Sequence, residues 1–219
     1  VEGRAGWGKI NPMPSAALKR LPLPLASGLV LAGFAANSLL CRAALGGGRA
    51  DAASFTVLRL ASGVLALALF LRLERGGWSL PRPRAGRAVA LAAYMLGFSL
   101  AYRSLSAGTG ALLLFGAVQV TMLGAARFRG EPFSAAKWTG AAMALAGLLV
   151  LTLPRADRPP LAAALSMAGA GAAWGVYSLL GRASAQPLAD TLGSCMGAAL
   201  IALLALAVPA VHHMTGPGV

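Results

Sequence analysis

The sequence predicts an all-α integral membrane protein of about seven transmembrane helices, on the evidence of its composition, its continuous apolar runs and its scarcity of charge. Of the 219 residues, 58% are hydrophobic and only 11% are charged, and the mean hydropathy is +0.72. A water-soluble domain has about 25% charged residues, so too little polar surface is available here to cover a soluble core. Because one span needs about 20 apolar residues, the chain has room for about seven or eight spans and for no soluble domain.

Apolar runs, separated by charged or Pro/Gly-rich breaks, define the expected spans in order. The runs are continuous rather than alternating, and an open sheet cannot satisfy its backbone groups in lipid, so each run is expected to be a helix. The third run is short and weak. The expected spans are Leu25 to Leu45, Phe55 to Leu73, Ala88 to Tyr102, Leu105 to Ala126, Ala135 to Leu153, Leu161 to Gly181 and Leu192 to Val211.

These spans divide the chain into an N-terminal tail over 1–24, a first unit over 25–153, a partial second unit over 161–211 and a C-terminal tail over 212–219. Residues 1–12 differ in character from the rest of the chain, and Met13 is the more natural start. A signal peptide is the alternative interpretation of the first run, because Lys19 and Arg20 precede it and Ala35-Ala36 resembles a cleavage site. The run is itself long enough to cross a bilayer, so we expect a span.

The 19 Lys and Arg residues and 6 Asp and Glu residues give a net charge of +13. The basic residues lie at the ends of the apolar runs, where they act as topology signals, rather than along one face as in a nucleic-acid-binding protein. Thirteen of them fall on the N-terminal side of the expected membrane and six on the other. Positively charged short loops stay in the cytoplasm, so the sequence predicts a multi-pass protein of the plasma (inner) membrane with a cytoplasmic N-terminus and no nucleic-acid partner.

An internal repeat links the first and sixth spans. The segment Phe34-Ala-Ala-Asn-Ser-Leu-Leu-Cys-Arg42 aligns without gaps with Trp174-Gly-Val-Tyr-Ser-Leu-Leu-Gly-Arg182. An odd number of spans separates the two copies, so the second copy is expected to be inserted upside down. Many secondary transporters are built from inverted repeats, with the substrate near the midplane between the halves.

Three further segments resemble the EamA family of the drug/metabolite transporter superfamily. They are Ala101-Tyr-Arg-Ser-Leu-Ser-Ala-Gly-Thr-Gly-Ala-Leu-Leu-Leu-Phe-Gly-Ala-Val-Gln119, then Phe128-Arg-Gly-Glu-Pro-Phe-Ser134, and Trp138-Thr-Gly140 with Ala146-Gly-Leu-Leu-Val150. Arg59 matches an arginine usual in the second span of that family. The resemblance implies two inverted five-helix units that move small organic metabolites across the plasma membrane. This chain supplies only two spans of the second unit, so we expect a fragment that does not transport as a monomer, and a homodimer is one way to complete it.

Polar and aromatic side chains inside the spans are the candidate substrate contacts, because polar groups in lipid normally face protein or water. The alternative for each is helix packing or interhelical hydrogen bonding. Arg59 either binds an anion or extends to the interface from a helix end, and Glu131 either pairs with neighbouring bases or takes part in transport. Small residues at Gly140/Ala144 and Gly171/Gly175 are expected to allow close helix packing. The cavity candidates are Asn37, Ser38, Gln119, Thr121, Trp174, Tyr177 and Ser178.

The residues present argue against an enzyme, a metalloprotein and a retinal pigment. The two histidines, His212 and His213, lie in the tail, so no nucleophile, base and orienting group can be assembled for an enzyme, and no metal or other cofactor is expected. A retinal pigment would need a lysine in its last helix, and none is there. The partners expected are the lipid bilayer and a small-molecule substrate. The predicted function is a secondary transporter, with an exporter favoured, and the alternative is a non-transporting structural or channel-like membrane protein.

Overall fold

A computed structural model describes residues 22–48, 50–75, 81, 83–130, 134–152 and 159–206. Throughout these ranges the regular structure is helical, with no strand, which confirms the all-α prediction. A short 3₁₀ turn, Gly46–Gly48, follows the first helix. The helices are α1 (Leu23–Leu45), α2 (Ala52–Arg75), α3 (Ala85–Ala101), α4 (Ala107–Phe128), α5 (Ala135–Thr152), α6 (Leu161–Gly181) and α7 (Pro187–Leu206).

Six of the helices lie within a few residues of the predicted spans, and the seventh begins earlier. Helix α7 starts at Pro187, five residues before the predicted Leu192. A proline at the first helical position is preorganised for the helix, and Asp190 in the first turn is favoured by the positive end of the helix dipole. An apolar run alone does not register such a polar first turn. Residues 207–211 of the predicted span lie outside the described residues.

Five of the described helices, α1, α2, α4, α6 and α7, are long and apolar enough to cross a membrane. Helix α3, at 17 residues, is a shorter apolar helix, as expected for the weak third run. Large apolar side chains point outward from these helices, among them Leu31 at 68% exposure and Leu65 at 71%. A surface of this kind is unfavourable in water and favourable in lipid, so the described chain has the character of a membrane-embedded protein.

Helix α6 occupies the centre of the bundle, between α3 and α4. Helix α7 packs on α2 and α3, while α1 and α5 both pack on α4. At the contact of α6 with α4, the missing side chain of Gly171 makes room for the Leu114 carbonyl and Ala117, and Gly175 lies against Thr121. The predicted close packing at Gly171/Gly175 is therefore confirmed.

At Gly140 the described residues make no such approach. Apart from the backbone of its own helix, no described atom lies within 4 Å of the position that a Cβ would take there. The spacing of small residues indicates that a close approach is sterically allowed, and it does not specify which helix face meets a neighbour.

Helices α3 and α6 run in opposite directions. Ser166 near the start of α6 donates to the Gly97 carbonyl near the end of α3, 2.9 Å away. Further along α6, Tyr177 contacts the guanidinium of Arg87 at the start of α3. The start of α6 therefore lies beside the end of α3, and the end of α6 lies beside the start of α3.

Helix α1 runs in the same direction as α3. Arg42, near the end of α1, donates to the carbonyl of Tyr102 just beyond the end of α3, at 3.1 Å. Phe34, in the middle of α1, contacts Trp174, which in turn contacts Tyr94 in the middle of α3. Because α3 is antiparallel to α6, α1 and α6 also run in opposite directions.

Candidate functional site

Four aromatic rings from four helices meet near the middle of the bundle. Phe34 is the central residue of α1, eleven positions from Leu23 and from Leu45. Its ring lies edge-on to Phe115 of α4, with centroids 6.1 Å apart, and edge-on to Trp174 of α6 at 6.3 Å. Trp174 is 4.7 Å from the ring of Tyr94 on α3. We call Phe34, Tyr94, Phe115 and Trp174 the ring junction.

From the ring junction a continuous aromatic column extends along α3 and α6. Towards the end of α3, Tyr94 is followed by Phe98, with ring centroids 5.4 Å apart. Towards the end of α6, Trp174 is followed by Tyr177 at 5.5 Å. Since the two helices are antiparallel, these two extensions point to opposite ends of the bundle. The aromatic column is therefore Phe98, Tyr94, Trp174 and Tyr177, in spatial order.

An arginine stands at each end of the aromatic column. At one end, the Cζ atom of Arg59 on α2 is 5.4 Å from the Phe98 ring centroid and 5.7 Å from that of Phe55. Its Nη2 atom donates to Asn37 Oδ1 of α1 at 3.0 Å. Its Nη1 atom is buried and has no hydrogen-bond partner among the described residues. The two rings and the Asn37 bond thus hold the Arg59 guanidinium against side chains of α1, α2 and α3.

At the other end of the column, Arg87 of α3 is 5% exposed and its Cζ atom lies 5.2 Å from the Tyr177 ring centroid. Its Nη1 atom donates to Asp190 Oδ2 of α7 at 3.0 Å. The Ser184 hydroxyl donates to the same carboxylate oxygen at 2.6 Å. This ion pair joins the starts of α3 and α7.

The pair was not predicted from the sequence. Arg87 is one of the basic residues at the ends of the apolar runs, and Asp190 lies two residues before the predicted start of the seventh span. Arg87 lies in the first turn of α3 and Asp190 in the first turn of α7. The expected topology starts both helices on the same side of the membrane, and this is the one indication that the sequence offers of the pair.

The candidates on α1 have different environments. Asn37 Oδ1 accepts from Arg59 and, at 3.8 Å, from the Cys41 thiol. Ser38 is buried and interacts with the Tyr102 side chain. The first positions of the two aligned segments, Phe34 and Trp174, meet directly.

The candidate residues on α4 and α6 also differ in their hydrogen bonding. Thr121 and Ser178 donate to carbonyls of their own helices, at 2.8 Å and 2.9 Å. Gln119, in contrast, has a buried Oε1 atom without a partner among the described residues. Tyr177 stacks between Trp174 and Arg87. Glu131 lies outside the described residues.

Chemically, this arrangement offers contacts for binding a molecule. Aromatic faces offer stacking and apolar contact, and an arginine at each end offers charge-assisted donors. Within the described ranges no three His, Cys, Asp or Glu side chains come together in a way that could hold a metal ion.

Comparison with known proteins gives one relative. No protein-family profile matches the chain, and no solved structure matches it. The uncharacterized protein PA1977 of Pseudomonas aeruginosa is 50% identical to it over 198 residues, which cover 87% of this chain and 67% of the relative. The chain therefore belongs to the same protein family as this Pseudomonas protein.

Proposed function

We propose that the chain acts as a secondary transporter, working as an exporter of small organic metabolites or drugs across the plasma membrane by alternating access. The observation that carries the proposal is the contact between Phe34 and Trp174. These residues occupy equivalent positions of the two aligned segments, and their helices run in opposite directions. Residues related by an inverted repeat can touch only near the axis that relates them, and transporters of this construction bind substrate near the midplane at that place.

The chemistry of the ring junction supports a substrate role. Trp174 and Phe34 are only partly buried, so each keeps ring surface that a bound molecule can cover. Gln119 adds a buried, unpartnered amide oxygen on α4, the helix that also carries Phe115. Polar groups in a membrane bundle normally line a cavity or find a partner, and a hydrogen-bonding substrate would be such a partner.

Alternating access needs contacts at the two ends of the bundle that can open in turn. On one side the Arg87–Asp190 ion pair joins α3 to α7. On the other, Arg42 joins the end of α1 to the carbonyls of Tyr102 and Arg103 in the turn after α3, at 3.1 Å and 3.2 Å. In the proposed cycle, opening the first contact exposes the ring junction to the cytoplasm and opening the second exposes it to the outside.

The orientation and the wider family assignment form part of the same proposal. The excess of Lys and Arg on the N-terminal side supports a cytoplasmic N-terminus. The directions of α2, α4 and α7 follow from contacts of Thr56 with Ser99, of Gly171 and Gly175 with Leu114 and Thr121, and of Arg87 with Asp190. The directions of α1 to α4 and of α6 and α7 then alternate as such a topology requires. The EamA-like segments over 101–150 support a five-helix unit followed by an inverted copy, and a second chain is a partner that could add helices to it.

Uptake into proteoliposomes tests the transport function. The purified chain and, in parallel, the Pseudomonas relative are reconstituted and loaded with mixed amino acids, organic acids, amines and nucleosides, and exchange of each labelled compound is followed. We expect saturable, trans-stimulated uptake of at least one compound by at least one of the two proteins. Non-saturating flux would identify a channel instead, and absence of flux from both proteins would leave a structural role.

A matched pair of tryptophan variants locates the activity. Trp174→Ala removes the ring at the junction, whereas Trp138→Ala alters a side chain on α5 that is 56% exposed. We expect the first to reduce uptake at least about tenfold, the loss that about 1.4 kcal/mol of binding produces, and the second to leave it unchanged. Equal effects of the two substitutions would show that the ring junction is not the site.

A further inference from the structure

We propose that Arg59 forms a carboxylate-binding subsite, so that the molecule bound at the ring junction is a small organic monoanion with an aromatic or planar body. This inference rests on the proposed function for its transport context. Its structural basis is separate, namely the unpartnered guanidinium edge beside the aromatic column.

The first step concerns charge. An arginine guanidinium stays charged in proteins, and a charged group inside a membrane bundle is expensive unless it has a partner. Arg59 donates to the neutral amide oxygen of Asn37 and interacts with the Tyr94 side chain, and its Nη1 atom is buried without a hydrogen-bond partner among the described residues. No described carboxylate pairs with it. A partly buried cation with no described carboxylate beside it favours a bound anion.

The second step compares Arg59 with Arg87. Both guanidinium groups lie against rings of the aromatic column, at 5.4 Å and 5.2 Å. Arg87 is neutralised by Asp190 at 3.0 Å, so its charge is already satisfied within the fold. The column therefore has one uncompensated positive charge, at its Arg59 end, which matches a monocarboxylate better than a doubly charged phosphate.

The third step concerns geometry. Asn37 accepts a hydrogen bond from Nη2 of Arg59, and the guanidinium lies over the rings of Phe55 and Phe98. This fixes the orientation of the group and leaves the buried Nη1 atom without a hydrogen bond. An anion that enters when the packing around Nη1 opens would meet a donor already fixed in place, which loses less entropy on binding. Beyond Phe98 the column continues through Tyr94 to Trp174. A carboxylate on Nη1 would thus place its apolar body along aromatic faces, which stack well on planar groups.

The test measures binding and does not require transport. The full chain, carrying Trp7→Phe, Trp78→Phe and Trp138→Phe so that Trp174 is the sole tryptophan fluorophore, is placed in lipid nanodiscs. Its fluorescence is titrated with benzoate, phenylacetate and 3-phenylpropionate, and with the corresponding neutral amides. We expect the best carboxylate to bind about ten- to hundredfold more tightly than its amide, as for a hydrogen bond to a charged group.

Variants at two arginines of α2 assign the preference. Arg59→Gln should abolish the difference between acid and amide, and Arg59→Lys should retain part of it because the charge remains while the planar fork is lost. Arg72→Gln, at an exposed position of the same helix, should bind like the parent. Helical circular dichroism and gel filtration verify that each variant is folded, and a misfolded Arg59→Gln is replaced by the Arg59→Lys comparison.

Two results would overturn the subsite. One is equal binding of acids and amides, or no binding of any panel member at millimolar concentration. The other is an acid preference that survives in folded Arg59→Gln. Transport is judged separately from phenylacetate uptake by proteoliposomes. Binding that depends on Arg59 without flux would defeat the transporter and leave the subsite, whereas phenylacetate flux unaffected by Arg59→Gln would defeat the subsite and leave the transporter.

Discussion

At the scale of single residues, the contact of α4 with α6 depends on two glycines. Gly171 has the Leu114 carbonyl and Ala117 directly where a side chain would begin, so the two backbones approach closely. In lipid, helix association relies on packing and hydrogen bonds rather than on the hydrophobic effect. Loss of this close approach should therefore lower the free energy of unfolding.

We predict that Gly171→Ala lowers the free energy of unfolding by about 1 to 3 kcal/mol, the usual cost of overpacking. Gly169→Ala, two positions away on the same helix, is the matched control, because no described atom lies within 4 Å of a Cβ built there. Its higher helix propensity should leave stability unchanged or slightly raised. Thermal unfolding of both variants in detergent, monitored by gel filtration, makes the comparison. Equal melting temperatures would contradict the assigned helix contact.

At the scale of elements, the Arg87–Asp190 ion pair fixes the start of α3 to the start of α7. The Arg87 side chain is 6% exposed and that of Asp190 is 19% exposed. Removing one partner of a buried pair is far more damaging than removing both, because it leaves an uncompensated buried charge. This asymmetry separates a true pair from two independent side chains.

Asp190→Asn should therefore lower the free energy of unfolding by about 3 kcal/mol, and the double variant Arg87→Gln with Asp190→Asn should be more stable than Asp190→Asn alone. Chemical unfolding of the purified variants in detergent measures both. The single variant Arg87→Gln completes the cycle, and a double variant whose loss equals the sum of the two single losses would mean that the residues do not interact.

The sequence was sufficient for the helical elements, because apolar runs are local patterns. The alignment of 34–42 with 174–182 did not specify that Phe34 and Trp174 touch, which is a finding of the structure. The sequence was insufficient for the environments of Arg59 and Arg87. Both lie near ends of apolar runs, where an arginine that reaches the interface and one that turns inward have the same local sequence. The side chains of neighbouring helices determine the position of each guanidinium, namely Asn37 for Arg59 and Asp190 for Arg87. No local sequence pattern specifies which helices are neighbours.

At the scale of the whole molecule, the helix directions and the distribution of basic residues make one topological prediction. Ser104, in the turn between α3 and α4, and Ala183, in the turn between α6 and α7, are both exposed, and should lie on opposite sides of the membrane. In a background where Cys41 and Cys195 are replaced by Ala, Ser104→Cys should react in intact cells with a maleimide that cannot cross the membrane. Ala183→Cys should react only after permeabilisation, and the reverse pattern would contradict the N-in orientation.

The central claim is that the ring junction binds small molecules at the middle of the bundle, and the reactivity of a cysteine at position 34 tests it most directly. In the same cysteine-free background, Phe34→Cys is compared with Leu31→Cys, whose native side chain is 68% exposed on the outer surface of α1. We predict that a charged thiol reagent modifies position 34 in membranes, that it leaves position 31 unmodified, and that a transported compound or phenylacetate slows the reaction at 34. If position 34 is as unreactive as position 31, or if no ligand protects it, the account is contradicted.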